Sequence, residues 1–118
     1  GYNGTPIGTT NCDQGGCDRC NERELYGKGK GYDVCICVHA EQNTILTAAK
    51  FGIPVDGGTI YTTMQPCFGC LKEALQAGIS TIKYLNSWEH PDRRLKRTYE
   101  MLQKNFPEGV FKIDFENQ

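Results

Sequence analysis

From residue 38 onward, the spacing of apolar residues alternates between the period of a helix and the period of a strand. Residues 40–51 carry apolar side chains at helical spacing, and Gly52 and Pro54 end this predicted helix. Its apolar stripe consists of Ile45, Ala48, Ala49 and Phe51. Residues 59–63 are β-branched or aromatic, which predicts a strand directly after the helix.

The same alternation continues through the second half of the chain. Residues 67–77 predict a helix that Gly78 stops, and residues 79–85 predict a strand. Pro91 suits the first turn of a third helix, whose predicted apolar face consists of Leu95, Tyr99, Leu102 and Phe106. A last strand is predicted from the alternation of polar residues with Phe111, Ile113 and Phe115. Helices that alternate with strands predict a layered α/β fold with a largely parallel sheet.

Residues 1–37 differ from the rest, because they are rich in Gly, Asn, Asp and Cys and have no apolar periodicity. The chain has 118 residues, which favours one domain, here a Cys-rich loop region over 1–37 and an α/β core over 38–118. Seven cysteines are many for this length, and C-x-x-C pairs recur. Without a visible secretory signal, this pattern favours metal binding over a disulfide framework, and with it a reducing, cytoplasmic location.

Net charge limits the choice of partners. The formal charge is −1 and the isoelectric point is near 6.1, whereas domains that bind polynucleotides usually carry a basic excess. A small anionic substrate needs only a few local cations, so it is compatible with this composition. No apolar run is long enough to cross a membrane, so no membrane partner is expected.

The most informative motif pairs His39-Ala40-Glu41 with Pro66-Cys67-Phe68-Gly69-Cys70. One imidazole and two thiols provide three zinc ligands and leave a fourth position open, as in catalytic zinc sites. Glu41 is then available as a proton carrier beside that position. Alone, the histidine is typical of surface or core residues, and a lone C-x-x-C is typical of redox or structural zinc sites. The combination is the signature of zinc-dependent nucleobase deaminases, which remove the exocyclic amine of cytosine or adenine.

A second zinc site is predicted in the N-terminal loop. Cys17 and Cys20 form a C-x-x-C pair, and Cys12 and Cys35 complete a closed four-ligand structural site. Cys37 and His90 are substitutes for the last two ligands. The alternative is a set of reduced, partly buried cysteines.

Substrate contacts are less strongly indicated. Arg19 is a candidate for the phosphate of a nucleotide, with Lys28 and Lys30 nearby, and Thr10 is a candidate hydrogen-bond donor. Tyr61 and Trp88 are candidates for stacking on a base, although core packing is the simpler role for Tyr61. The basic run over residues 93–97 is typical of a solvated helix face, or of a surface that binds a polynucleotide.

At these motifs the chain resembles the cytidine and deoxycytidylate deaminase superfamily, and within it the deoxycytidylate (dCMP) deaminases. Superfamily membership rests on the zinc motif, which continues as Cys37-Val38-His39-Ala40-Glu41-Gln42-Asn43. The narrower resemblance rests on Gly1-Tyr2-Asn3-Gly4-Thr5-Pro6 and on Gly15-Gly16-Cys17-Asp18-Arg19-Cys20-Asn21. Further similar stretches are Thr59-Ile60-Tyr61 and Gln76-Ala77-Gly78-Ile79.

The resemblance implies hydrolysis of dCMP to dUMP and ammonia, which supplies thymidylate synthesis. It implies His39, Cys67 and Cys70 as zinc ligands, Glu41 as the proton shuttle, and Asn3 and Asn43 as substrate contacts. It also implies a second zinc in some members, a homo-oligomer that is commonly a hexamer, activation by dCTP and inhibition by dTTP. The implied fold is a three-layer α/β/α sandwich with a mixed, largely parallel sheet. Relatives carry a helix and two strands ahead of or through the Gly-Tyr-Asn-Gly stretch, so the N-terminal strands are expected to be truncated here.

Three alternatives stay open. A polynucleotide deaminase acting on single-stranded DNA or tRNA requires several phosphate contacts and binding that weakens steeply with salt. A deaminase of free cytidine or deoxycytidine requires equal turnover with and without the 5′-phosphate. A non-catalytic zinc-binding module does not require Glu41, so the presence of this carboxylate favours an enzyme.

Overall fold

Three parallel strands and three helices make up the part of the chain that the structure, a computed structural model, describes: residues 1–10 and 37–114. In chain order they are α1 (Ala40–Lys50), β1 (Thr59–Met64), α2 (Phe68–Gln76), β2 (Thr81–Asn86), α3 (Arg93–Gln103) and β3 (Gly109–Lys112). This confirms the predicted α/β class and its parallel sheet. None of these helices is long and apolar enough to cross a membrane.

The sheet has the order β1-β2-β3, and both strand pairs are parallel. Because parallel crossovers are right-handed and both run in the same direction, α2 and α3 lie on the same face of the sheet. Ile60, Ile82 and Val110 are in register on that face. They pack there with Leu71 and Ala74 of α2, and with Tyr99 and Phe106.

The opposite face carries Tyr61, Lys83 and Phe111, which are also in register. The Lys83 ammonium lies 5.5 Å from the ring centroid of each aromatic residue, close enough for cation–π attraction. Tyr61 is 67% exposed and Phe111 is 42% exposed. The described residues therefore contain two of the three predicted layers, namely the sheet and one layer of helices.

The connections between elements bring the candidate site residues together. Helix α1 begins directly after an antiparallel bridge between Gly4 and Val38, and it packs against α2. Three residues separate the carboxyl end of β1 from the start of helix α2. The N-termini of α1 and α2 therefore lie near that end of the sheet, where ligands bind in open parallel sheets.

Five residue assignments in the predicted elements are wrong. Phe51 caps the C-terminus of α1 and is 69% exposed, Ala49 of α1 is exposed, and Leu95 on α3 is 52% exposed, so none of the three joins its predicted apolar face. Asp92 caps α3 by accepting a hydrogen bond from the Arg94 amide, so Pro91 precedes the helix. Phe106 follows the end of α3 but is buried in the core. Apolar spacing along a helix does not show which of its apolar residues meet a neighbouring element. Burial depends on that contact.

The last strand also differs from its prediction. It begins at Gly109 and ends at Lys112, earlier than the pattern of Phe111, Ile113 and Phe115 indicates. The Ile113 amide still donates to the Tyr84 carbonyl oxygen, which extends the pairing by one hydrogen bond. Phe115 lies outside the described residues.

Candidate active site

One histidine and two cysteines meet where the N-termini of α1 and α2 approach each other. His39 is the N-cap residue of α1, Cys67 is the N-cap residue of α2, and Cys70 lies in the first turn of α2. His39 Nδ1 is 3.4 Å from Cys67 Sγ and 3.3 Å from Cys70 Sγ, and the two sulfur atoms are 3.6 Å apart. Neither cysteine is in a disulfide. The three residues predicted as zinc ligands therefore form one cluster that could hold a metal ion.

The spacing of these three atoms fits zinc. With zinc–sulfur bonds of about 2.3 Å and a zinc–nitrogen bond of about 2.0–2.1 Å, tetrahedral angles separate the sulfur atoms by about 3.8 Å. The same geometry separates nitrogen from sulfur by about 3.6 Å. The structure matches these separations to within a few tenths of an ångström. Three ligands leave one coordination position for a reactant, as in catalytic rather than structural sites.

The three ligands perturb each other's protonation when no metal is bound. The hydrogen bond from the Cys70 thiol lowers the pKa of Cys67 to about 4, with a further contribution from His39. The hydrogen bond to Cys67 and burial raise the pKa of Cys70, and proximity to Glu41 raises it further. The hydrogen bond with Cys67 raises the pKa of His39. The mutual hydrogen bonds therefore favour the thiolate form at Cys67 over Cys70, and metal binding requires both cysteines as thiolates.

Glu41, the predicted proton carrier, lies in the first turn of α1 beside this cluster. Its Oε1 atom accepts a hydrogen bond of 2.8 Å from Thr62 Oγ1 on β1. Glu41 lines the same cavity as His39 and Cys67. A carboxylate next to an open coordination position is suited to accept and return a proton.

The side chain of Gln42 connects the two helices that carry the ligands. Gln42 Oε1 accepts a hydrogen bond of 2.9 Å from the His39 amide, and Gln42 Nε2 donates one of 3.0 Å to Glu73 on α2. The Gln42 side chain thus bonds both to the N-terminus of α1 and to the helix that carries Cys67 and Cys70. Contacts of this kind orient metal ligands.

The segment before Cys67 is held by α3 and by the loop ahead of it. The buried Tyr99 hydroxyl donates to the Pro66 carbonyl oxygen. The buried Gln65 side chain accepts from the Trp88 amide at 3.0 Å and donates to Gln103 at 3.2 Å. The thiolate loop, which comprises residues 65–67, is therefore held by hydrogen bonds to α3 and to the loop after β2.

A cavity of about 550 Å³ opens at the cluster. Its volume lies within the range of about 300–1,000 Å³ that is usual for sites of small molecules. Its walls come from the N-terminal segment, the start of α1, the end of β1 and the loop after β2. The residues that line the cavity include Asn3, His39, Glu41, Thr63, Cys67 and Trp88.

The two asparagines predicted as substrate contacts hold the N-terminal segment against α1. Asn3 Oδ1 accepts a hydrogen bond of 2.6 Å from the Ala40 amide, which caps an otherwise unpaired donor of the helix. Asn43 Nδ2 donates to the Tyr2 carbonyl oxygen at 2.8 Å. Asn3 lines the cavity. Their contacts with substrate stay a prediction.

Two further predicted substrate contacts within the described residues, Tyr61 and Thr10, do not line this cavity. Tyr61 lines a smaller neighbouring cavity of about 230 Å³ that also contains Glu41, and Thr10 is exposed. Arg19 and the four predicted ligands of a second zinc, Cys12, Cys17, Cys20 and Cys35, lie outside the described residues. Of the two substitutes, Cys37 is in a disulfide and His90 accepts a hydrogen bond of 3.0 Å from the Asp92 amide.

Three contributors to the site have no predicted role: Gln42 and Gln65, and Thr62, which is predicted only as part of a strand. The sequence offers a weak signal for Gln65, since it is a polar residue directly before Pro66 and Cys67. Strand alternation from Ile60 places Thr62, and not Thr63, on the covered face of the sheet. Only the packing of α1 at the end of β1 brings the Thr62 hydroxyl to Glu41.

Residues 1–86 match the family of the cytidine and deoxycytidylate deaminase zinc-binding region. The deoxycytidylate deaminase of Schizosaccharomyces pombe is 41% identical over 88 residues, 75% of this chain. That of Saccharomyces cerevisiae is 38% identical over 96 residues, 81% of this chain. The match spans only 26% and 29% of these two relatives.

A solved structure shares this fold. The dCMP deaminase of cyanophage S-TIM5, crystallised in complex with dCMP and dUMP, matches with a TM-score of 0.60 at 30% identity. The match covers 94% of this chain and 68% of the phage chain. The matched family is a zinc-binding one, in agreement with the donor cluster of His39, Cys67 and Cys70.

Proposed function

The chain belongs to the cytidine and deoxycytidylate deaminase family, and we propose that it hydrolyses dCMP to dUMP and ammonia. The observation that carries this proposal is the meeting of His39, Cys67 and Cys70 with Glu41 in one nucleotide-sized cavity. The likeness to a phage dCMP deaminase solved with dCMP and dUMP supports the substrate. In this role the protein supplies dUMP for thymidylate synthesis.

The residues of the cavity have separate tasks in this reaction. His39, Cys67 and Cys70 hold zinc, which when bound supplies a Lewis acid and makes water more acidic. Glu41 accepts one proton from the attacking water and delivers it to ring nitrogen N3. It then accepts the second proton from the new C4 hydroxyl group, which becomes a carbonyl, and delivers it to the departing amine. A carbon–oxygen bond forms at C4, the bond from C4 to the exocyclic nitrogen breaks, and ammonia leaves.

The cavity walls orient the base and sugar. Trp88 offers an aromatic ring at one wall, and Asn3 lies at another, next to the start of α1. We retain Asn43, Thr10, Arg19 and Tyr61 as candidate substrate contacts. The hydrogen bond from the Asn43 side chain to the Tyr2 carbonyl oxygen supports a role in holding the wall that contains Asn3.

The broader features of the protein are also proposals. Residues 1–118 form one deaminase domain, and the Cys-rich segment ahead of α1 holds a second zinc, whose ligands exclude Cys37 because Cys37 is in a disulfide. The protein works in the cytoplasm as a homo-oligomer, commonly a hexamer in this family, with dCTP as activator and dTTP as inhibitor. Family resemblance supports these features.

The test is turnover of dCMP, deoxycytidine, dCTP and single-stranded DNA by the zinc-loaded protein, with and without dCTP as effector. We expect selective turnover of dCMP. Glu41→Gln should lower kcat by about 10²–10⁴-fold, the usual contribution of a general acid–base group, with zinc content unchanged. Glu100→Gln, which neutralises an exposed carboxylate on α3, is the matched control and should retain activity.

Other outcomes would redirect the assignment. If deoxycytidine were turned over as fast as dCMP, the protein would not recognise the 5′-phosphate. If the zinc-bound protein turned over none of the substrates, it would be a non-catalytic module. Preference for single-stranded DNA would indicate a polynucleotide deaminase. The surface of α3 does not favour polynucleotide binding. Lys96, in its basic run, pairs with Glu89 and lies near Glu100, so acidic side chains offset part of the positive charge.

A further inference from the structure

Thr62 makes the hydrogen bond to the proton carrier. It lies two residues after Ile60 on β1, so its side chain points to the covered face of the sheet. The hydroxyl group is half-buried and lies 2.8 Å from Glu41 Oε1. The two residues are 21 positions apart in sequence, so this contact exists only because α1 packs at the end of β1.

The hydroxyl group has two acceptors within reach, and its single proton bonds best to one of them. The Met64 carbonyl oxygen lies at 3.2 Å, which is longer than the distance to Glu41. A hydrogen bond to a carboxylate is also about twice as strong as one to a neutral acceptor. Both distance and charge therefore direct the Thr62 proton to Glu41.

This hydrogen bond restricts a side chain that otherwise has several conformers. A glutamate side chain loses conformational entropy when it is fixed in one rotamer, so an unrestrained Glu41 would spend part of its time in other orientations. Threonine is β-branched and stiff about its first side-chain torsion, and here it lies on a paired strand, so its hydroxyl is a fixed point. Because Oε1 is held by Thr62, Oε2 is left as the oxygen that exchanges a proton with the reactants.

We infer that Thr62 is a positioning residue, which holds the Glu41 carboxylate in the orientation that proton transfer requires. The inference rests on the proposed function, since it assigns Thr62 a part in the same reaction. Thr62 is not in the lining of the 550 Å³ cavity but lines the neighbouring 230 Å³ cavity together with Glu41, to which its hydroxyl bonds. Removing its hydroxyl should therefore slow the chemical step and leave both substrate binding and metal binding intact.

Thr62→Val removes the hydroxyl while keeping the size and β-branching of the side chain. We expect kcat to fall between about tenfold and a hundredfold, as is usual for a misplaced catalytic group, while KM stays within about twofold. Thr62→Ser, which restores the donor, should recover most of the lost kcat. Zinc affinity, measured by competition with a chelator, should be unchanged in both variants. Thr59→Val, an exposed substitution on the same strand, is the control and should behave as the wild type.

Crystal structures of the zinc-loaded wild type and Thr62→Val separate this inference from the proposed function. We expect the Glu41 carboxylate to leave its position in the valine variant. An unmoved Glu41, an unchanged kcat, or a serine variant as slow as the valine variant would each overturn the inference. If the wild type turns over none of the substrates, the proposed function fails, and the position of Glu41 in the two structures still decides the role of Thr62.

Discussion

Gly78 shows how strictly a single residue can be constrained in this fold. It ends α2 with a φ angle of +87°, which L-amino acids rarely adopt. A Cβ atom at this position would lie 2.0 Å from Asp56 Oδ1 and 3.2 Å from Asp56 Cα. The glycine thus allows the chain after α2 to pass close to the loop before β1.

We predict that Gly78→Ala lowers the free energy of unfolding by more than the roughly 1–2 kcal/mol that a left-handed conformation alone costs. The additional loss comes from the close approach to Asp56, whose carboxylate must turn away and whose Cα atom, at 3.2 Å, leaves little room for the added Cβ. Gly52→Ala is the matched control, because Gly52 has a φ angle of +70° and no atom of the described residues lies within 4 Å of the added Cβ. Urea unfolding of both variants measures the difference. Equal losses would show that the approach to Asp56 imposes no constraint.

At the scale of elements, the site depends on the relative position of two helix N-termini. Helix α1 carries His39 and Glu41, and α2 carries Cys67 and Cys70. The side chain of Gln42 joins them, since it bonds to the His39 amide and to Glu73. Because each helix is rigid, one such link restrains several ligand atoms at once.

We predict that Gln42→Leu weakens zinc binding by roughly tenfold, the lower end of the effect usual for groups that orient metal ligands. Leucine removes both hydrogen bonds but keeps helix propensity, so α1 should persist. Glu73→Gln keeps an acceptor oxygen for Gln42 and should have a smaller effect. Chelator competition gives the dissociation constants, and circular dichroism checks helix content. An unchanged zinc affinity in Gln42→Leu would contradict the proposed link.

At the scale of the whole molecule, Tyr99 connects the helix layer to the thiolate loop. Its ring packs in the core formed by the sheet, α2 and α3, and its hydroxyl donates to the Pro66 carbonyl oxygen next to Cys67. Burial raises the pKa of this phenol above its ordinary value. The neutral form is therefore favoured in the folded protein.

We predict that Tyr99→Phe lowers stability at neutral pH by about 1–3 kcal/mol, because a buried carbonyl group loses its donor. Above pH 10, the ordinary pKa of tyrosine, the unfolded chain ionises Tyr99 while the folded chain keeps it neutral. This favours unfolding, so the stability of the wild type should fall as the pH rises through that range. The Phe variant should fall less steeply.

Urea unfolding between pH 7 and 11 measures both effects. Tyr61→Phe is the control, since Tyr61 is an exposed tyrosine without a buried partner for its hydroxyl among the described residues. A Phe variant whose stability falls as steeply as that of the wild type above pH 10 would contradict the assignment to Tyr99.

The ligand cluster could be predicted from sequence because its signals are local. Cys67 and Cys70 are three residues apart at the start of a helix, a spacing that brings both sulfur atoms to one side. The helix stops at Gly78, and the alternation of helices with strands follows from apolar periodicity. Burial was predicted less well, since Phe51 and Leu95 lie at apolar helical spacing but are exposed.

By itself, the sequence determined the elements, the α/β class and the set of donor atoms, because these depend on residues close together along the chain. The tertiary structure decided which polar groups support them. The bond from Thr62 to Glu41 joins residues 21 positions apart, and that from Asn3 to Ala40 joins residues 37 apart. Such contacts depend on how elements pack against each other, and no local pattern of polar and apolar residues encodes that packing.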